Sequence, residues 1–193
     1  MQIIKRGIYY YGCDDKIMKS DFVILSGGMK LMEDFNMPET KDKALRYDAL
    51  AKHIERMTAR ETNMTANMAN AAALLKQAFG FFWCGFYLKD GDELVLGPFQ
   101  GPAACTRIGF GKGVCGTAWK EGRTIVVPDV EKFPGHIACS SQSRSEIVVP
   151  IYCNGEFFAL LDIDSDRLGE FDESDAAGLE LFAEKLAKSK YNA

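Results

Sequence analysis

The chain has 193 residues, 47% hydrophobic and 26% charged, with a formal net charge of −4. That length suits one domain with a real core. The mildly acidic balance argues against nucleic acid and anionic membrane surfaces, which are bound through basic patches, and no apolar run approaches the roughly 20 residues needed to span a bilayer.

The opening Met-Gln-Ile-Ile-Lys-Arg is followed too soon by polar and charged residues to be a secretion signal. A cytoplasmic location is therefore expected, where a disulfide is more often catalytic or redox-sensing than structural. Residues 1–30 differ in composition from the rest and read as a poorly ordered N-terminal extension. Cys13, inside it, receives no role. Residues 31–193 read as a single domain.

From Thr40 to Gly80 the pattern is helical. Leu45, Leu50, Ile54 and Met57 recur at helix spacing, and Thr62 or Asn63 can cap a second helix carrying Met64, Met68, Leu74, Leu75 and Phe79. The methionines read as core filler. A strand over Phe81–Leu88 and another over Glu93–Leu96 flank Lys89-Asp-Gly-Asp92, a hairpin signal. Val114–Glu121 reads as a short helix and Thr124–Val127 as a strand stopped by Pro128. Phe133–Ser145 reads as a loop with one helical turn near His136. Glu146–Tyr152 and Glu156–Ile163 form a second hairpin across Cys153-Asn154-Gly155, and Asp172–Lys188 is an amphipathic helix. This order lacks the strand–helix alternation of a parallel sheet. It predicts an α+β fold, a mainly antiparallel sheet with helices packed on one face.

Asp162 and Asp164 lie two apart on a strand and so share a face, while Leu161 and Ile163 point into the core. A hairpin closing at Asn154-Gly155 sets Glu146 beside them. Three clustered carboxylates cannot all ionise easily, so at least one should hold its proton near neutral pH and serve as a donor. Cys105, Cys115 and Cys139 sit among glycine-rich turns and polar loops, where a thiol is open to exchange. Cys115 follows Gly113 at the start of a predicted helix, which should favour its thiolate. Cys139 lies three residues after His136, weak evidence for activation. Cys84 and Cys153, on strands, read as inert. Zinc held by His136, Cys139, Cys105 and Cys115 is disfavoured because no Cys-x-x-Cys pair is present. Gly109-Phe-Gly-Lys-Gly113 lacks the phosphate-loop pattern and reads as a turn. Trp83 and Tyr87, four apart on one strand, share a face and could wall a pocket.

From about residue 42 to 188 these residues resemble the free methionine-(R)-sulfoxide reductases, which are single GAF domains. The resemblance rests on Trp83-Cys-Gly-Phe-Tyr87, Leu96-Gly-Pro-Phe-Gln-Gly-Pro-Ala-Ala-Cys105, Gly113-Val-Cys-Gly-Thr-Ala118, Phe133-Pro-Gly-His-Ile-Ala-Cys139, Ser145-Glu-Ile-Val-Val-Pro150 and Leu161-Asp-Ile-Asp-Ser165, in that order. It implies that Cys139 is the catalytic thiol and that Cys105 and then Cys115 are recycling thiols. It further implies that Glu146, Asp162 and Asp164 bind substrate and donate a proton, and that Trp83 and Tyr87 enclose the substrate methyl. No cofactor is implied. The implied partners are free methionine sulfoxide, a thioredoxin-like reductant and a second copy of the chain in a homodimer. The chain departs from the family in its longer N-terminal extension and in Cys84, where a small apolar residue is expected. The competing readings are a small-ligand sensor, disfavoured because the sequence offers no output domain, and a thiol redox sensor that forms a disulfide without turnover.

Overall fold

The structure, a computed structural model, describes residues 35–137 and 139–191. The extension expected over residues 1–30 lies outside the described residues.

Helix α1 (Lys43–Met57) starts where the Asp42 carboxylate accepts from the N–H groups of Ala44 and Leu45, a strong N-cap. Its buried face is Tyr47, Leu50, Ala51 and Ile54. Leu45, expected on that face, is 56% exposed, and Tyr47 takes its place. The Tyr47 ring lies directly against the backbone of Gly178, and its hydroxyl donates to Asp175 at 2.9 Å. Helix α2 (Met64–Phe79) is capped by Asn63 and ends at Gly80, whose φ of 71° suits glycine. Strands β1 (Trp83–Asp90) and β2 (Glu93–Gln100) form the first hairpin. β2 runs past the expected stop at Leu96 because Gly97 and Pro98 lie where the register shifts, a bulge that tolerates proline. A short strand β3 (Arg107–Gly109) adds to β2 by pairing with Glu93–Val95. Three residues carry no periodic signal, and none was expected there.

Helix α3 (Gly113–Glu121) and strand β4 (Ile125–Val127) follow. The helical turn expected near His136 lies earlier, as a 3-10 turn over Val130–Lys132, because Asp129 caps it through the Glu131 N–H. Strands β5 (Ser145–Cys153) and β6 (Glu156–Ser165) close through Asn154 and Gly155, at φ 53° and 79°. Two consecutive positive φ values make the tight turn that matches strand twist. Helix α4 (Glu173–Lys188) begins with a reciprocal capping box between Asp172 and Asp175.

The strands of the described residues form one antiparallel sheet in the order β3-β2-β1-β6-β5-β4. The period of two sorts their side chains. Cys84, Phe86, Ile147, Val149, Leu161 and Ile163 point to one face, where α1, α2 and α4 cover them with Leu50, Ile54, Met68, Leu75, Leu179 and Phe182. Each large side chain buried there contributes about 1.5–3 kcal/mol. Trp83, Tyr87, Val148 and Leu160 point to the opposite face, packed with α3 through Val114, Cys115 and Ala118. This is the expected α+β fold, with the three long helices on one face. The other face is covered only by α3 and loops, and the polar residues gather there.

Candidate active site

The hairpin register sets the carboxylates. Glu146 pairs with Asp164 and Val148 with Asp162 across β5 and β6. On the other side of β6, Asp164 pairs with Trp83 and Asp162 with Gly85. Gly85 leaves space that a Cβ would fill against Phe99 and Trp83. Glu146 and Asp162 are 6% and 7% exposed, so both carboxyls are nearly dry. Burial, then the charges of Asp162 and Asp164, pushes Glu146 well above the usual carboxylate range. Burial and the Asp164 charge do the same to Asp162. Asp164 is pushed up to about 6 by burial, with a hydrogen bond from Ser143 working against the shift. Glu146 and Asp162 therefore resist ionisation and can hold a proton at neutral pH, whereas Asp164, at about 6, gives most of its protons up there.

The thiols divide into two kinds. Cys105 and Cys139 are joined in a disulfide, their Cα atoms 5.4 Å apart, and both are partly exposed. Cys115 is free and buried on the first turn of α3, its thiol donating to Glu146 Oε1 at 4.0 Å. The expectation of a loop thiol with a favoured thiolate is corrected on both counts. Burial, then the nearby Asp162 and Glu146 charges, raises Cys115 well above an ordinary thiol, outweighing the helix terminus. Gly116 holds that turn close, since a Cβ there would meet the Gly109 carbonyl and Gly111 backbone. Cys84 is buried on β1 and pushed up to about 12, chiefly by burial. Cys153 is free and buried beneath α4.

Trp83 and Tyr87 stack with ring centroids 6.2 Å apart, and Trp83 stacks on Phe99. Each also anchors the Cys105 loop: Trp83 Nε1 donates to the Pro102 carbonyl at 3.0 Å, and the Tyr87 hydroxyl donates to the Cys105 carbonyl at 2.9 Å. Two small cavities flank Cys139. One of ≈ 30 Å³ lies between α3, His136 and the carboxylates. The other, ≈ 20 Å³, lies between Trp83, Tyr87, Ala103 and the two aspartates. A water needs roughly 10–15 Å³, so with the disulfide formed neither cavity holds more than about a water or two.

The zinc set weighed from the sequence does not form, because Cys105 and Cys139 are bonded to each other. A different trio, Cys115, Glu146 and Asp162, brings its donor atoms within 4.8 Å of one another. Protons held by all three groups would compete with a cation there.

Residues 63–189 match the GAF domain model. The chain is 59% identical to GAF domain-containing protein A of Dictyostelium discoideum, covering 69% of this chain and 85% of that one. It is 43% identical to the free methionine-R-sulfoxide reductase of Escherichia coli, covering 74% of this chain and 87% of that protein. The X-ray structure of free methionine-R-sulfoxide reductase from Neisseria meningitidis, in complex with its substrate, superposes with a TM-score of 0.79 at 53% identity. That match covers 82% of this chain and 96% of that one. The chain belongs to the free methionine-R-sulfoxide reductase family of GAF domains.

Within this reductase fold, the sequence reading missed three supports. Ser143 bonds Asp164. Gly85 clears the space beside Asp162, and Gly116 seats α3. A lone glycine inside a strand is the one signal that pointed to a close approach. All eight residues singled out from the sequence lie on the α3 face of the sheet or in the loops over it. Cys139 lines both cavities with Asp162 and Asp164, Cys115 and Glu146 line one, and Trp83 and Tyr87 line the other.

Proposed function

We propose that the protein reduces free methionine-(R)-sulfoxide to methionine through a cysteine sulfenic acid. The observation that carries this reading is a disulfide between two partly exposed cysteines beside three clustered acids, all with raised proton affinity and two of them, Glu146 and Asp162, well above the carboxylate range. In the reduced protein the Cys139 sulfur attacks the sulfoxide sulfur. A carboxyl of the Glu146, Asp162 and Asp164 cluster protonates the sulfoxide oxygen, which turns a poor electrophile into a good one. Oxygen passes to Cys139, methionine leaves, and Cys139 becomes a sulfenic acid. The Cys105 thiol displaces that oxygen as water and forms the Cys105–Cys139 disulfide. A dithiol reductant of the thioredoxin type then takes up the disulfide by exchange, returning both thiols and becoming oxidised itself. Partial exposure of both cysteines supports this last step, and the depth of Cys115 supports Cys105 as the resolving thiol. A cycle that ends on a reduced dithiol fits a cytoplasmic location. The working unit is proposed to be a homodimer, as the family resemblance implies, which light scattering tests.

Trp83 and Tyr87 are proposed to wall the substrate methyl on the side away from α3. With the disulfide formed, the two cavities are too small for an amino acid, so reduction must precede substrate binding. The test is consumption of racemic free methionine sulfoxide with a dithiol, resolved by epimer, beside a sulfoxide-containing peptide. Loss of the R epimer of the free amino acid alone is expected. No turnover by protein with verified free thiols would return the fold to a ligand-binding or redox-sensing role.

A further inference from the structure

The proposed cycle leaves Cys115 without a task, although its thiol lies within the acid cluster. Cys115, Glu146 and Asp162 come from α3, β5 and β6 and are 4%, 6% and 7% exposed. Glu146 and Asp162 are diagonal neighbours, because Glu146 pairs with Asp164 and Val148 with Asp162. Three rigid elements thus hold one sulfur and two carboxylates in place. The sulfur and one oxygen from each acid lie within 4.8 Å of one another, and the sulfur is 4.0 Å from Glu146 Oε1. The ligand atoms of a tetrahedral zinc ion, bound at about 2.3 Å for sulfur and about 2.1 Å for oxygen, stand roughly 3.6 Å apart. A small side-chain rotation closes that difference.

Asp162 Oδ1 is buried yet has no hydrogen-bond partner, a costly state unless a ligand binds it. All three residues line the cavity of ≈ 30 Å³ beside Cys139, which has room for a water as fourth ligand. Mixed thiolate and carboxylate donors in a tetrahedral frame suit zinc, whereas magnesium and calcium take all-oxygen sets. The two positive charges of the ion reverse the crowding of like charge that keeps these groups protonated.

We propose that Cys115, Glu146 and Asp162 form a zinc site, and that zinc there inhibits the protein by occupying the acids that the substrate needs. The ion takes the thiolate and carboxylate forms, whose protons leave to solvent, and no electron moves. The inhibition rests on the reductase reading above; the binding does not. Cys105 and Cys139 are not ligands, which separates this site from capture of zinc by the two loop thiols.

The first arm of the experiment measures binding without turnover. The double variant Cys105→Ser, Cys139→Ser is freed of dithiol and dialysed against zinc alone. It should retain about one zinc per chain, melt at a higher temperature with the metal than without it, and show the near-ultraviolet band of a thiolate ligand when cobalt replaces zinc. Adding Cys115→Ser should remove that band and weaken zinc binding by at least about tenfold, the scale lost when even an outer partner of a metal ligand is removed. Adding Asp162→Asn should weaken binding while keeping the band, and it tests the site independently if the serine variant does not fold. No zinc retained by the double variant, or equal retention after both additions, would overturn the site. The second arm follows methionine release in a single turnover by reduced wild type, again freed of dithiol, which would chelate the metal. Zinc should suppress release, excess substrate should relieve the suppression, and a chelator should abolish it. Full release with the site filled, or suppression that substrate does not relieve, would overturn the inhibition. No release by the zinc-free protein would overturn the reductase reading, and the inhibition with it, while the first arm still decides the site.

Discussion

Replacing Asp164 with asparagine should make the protein more stable and less active at the same time. Asp164 sits between Glu146 and Trp83 in the sheet, and burial pushes its carboxyl up to about 6. An unfolded aspartate titrates at about 3.9. The folded value is the higher one, so the folded state binds the proton more tightly. The stability from this group is fully present below about pH 4 and is lost as pH rises through about 6. About two units at 1.36 kcal/mol each give a penalty of roughly 3 kcal/mol at pH 8. Asparagine has the same shape, can still accept from Ser143, and carries no charge to desolvate. Urea unfolding of the reduced protein between pH 5 and pH 8 is the assay. Wild type should lose about 1.5 kcal/mol across that range, the half of the penalty that falls above pH 5, while the variant should follow a flatter curve and exceed wild type at pH 8. On the proposed mechanism turnover should fall, since the acid cluster loses one carboxyl. Parallel pH curves for the two proteins, or a variant less stable at pH 8, would refute the claim that this carboxyl is held under strain by burial.

Cys139→Ser should abolish reduction, whereas Cys105→Ser should retain a single turnover, accumulate a sulfenic acid visible by mass spectrometry, and fail to recycle. Normal recycling without Cys105 would move the resolving role to Cys115. Tyr87→Phe removes the hydrogen bond to the Cys105 carbonyl. It should cost about 1 kcal/mol and slow disulfide formation in rapid-quench measurements more than it slows methionine release; equal effects on both steps would mean that the hydroxyl does not position the loop. Gly116→Ala should push α3 off the Gly109–Gly111 backbone, costing about 1–3 kcal/mol and raising KM. An unchanged melting temperature and KM would show that the close approach is not needed.

The clearest positions to read from the sequence were those set by short-range rules. A period of two put Asp162 and Asp164 on one face, and Asn154-Gly155 fixed a turn whose register leaves Glu146 opposite Asp164. The cap of α2 was similarly visible, as Thr62 or Asn63 before an apolar run, and Asn63 is the one that caps. What was not legible depends on sums over distant neighbours. The direction of the Cys115 shift is a contest between a helix terminus three residues away in sequence and burial plus acids some thirty or more residues distant. Leu45 and Tyr47 are both plausible core residues by pattern, and only the packing of α1 against Gly178 selects the tyrosine. Strand β3 exists because β2 presents an edge to it, a fact with no local signature.

The Cys105–Cys139 bond ties together positions 34 residues apart. The ring so closed contains α3, which covers the acid face of the sheet, and β3 and β4, the sheet's two edge strands. In the chain-entropy view, a closed loop of that length removes freedom from the unfolded chain worth about 4 kcal/mol. On the proposed cycle the oxidised protein should therefore be the form that best resists heat and proteases, and each reduction should return activity together with fragility. Under sustained oxidation the pool would shift to a durable store that survives until reductant is restored.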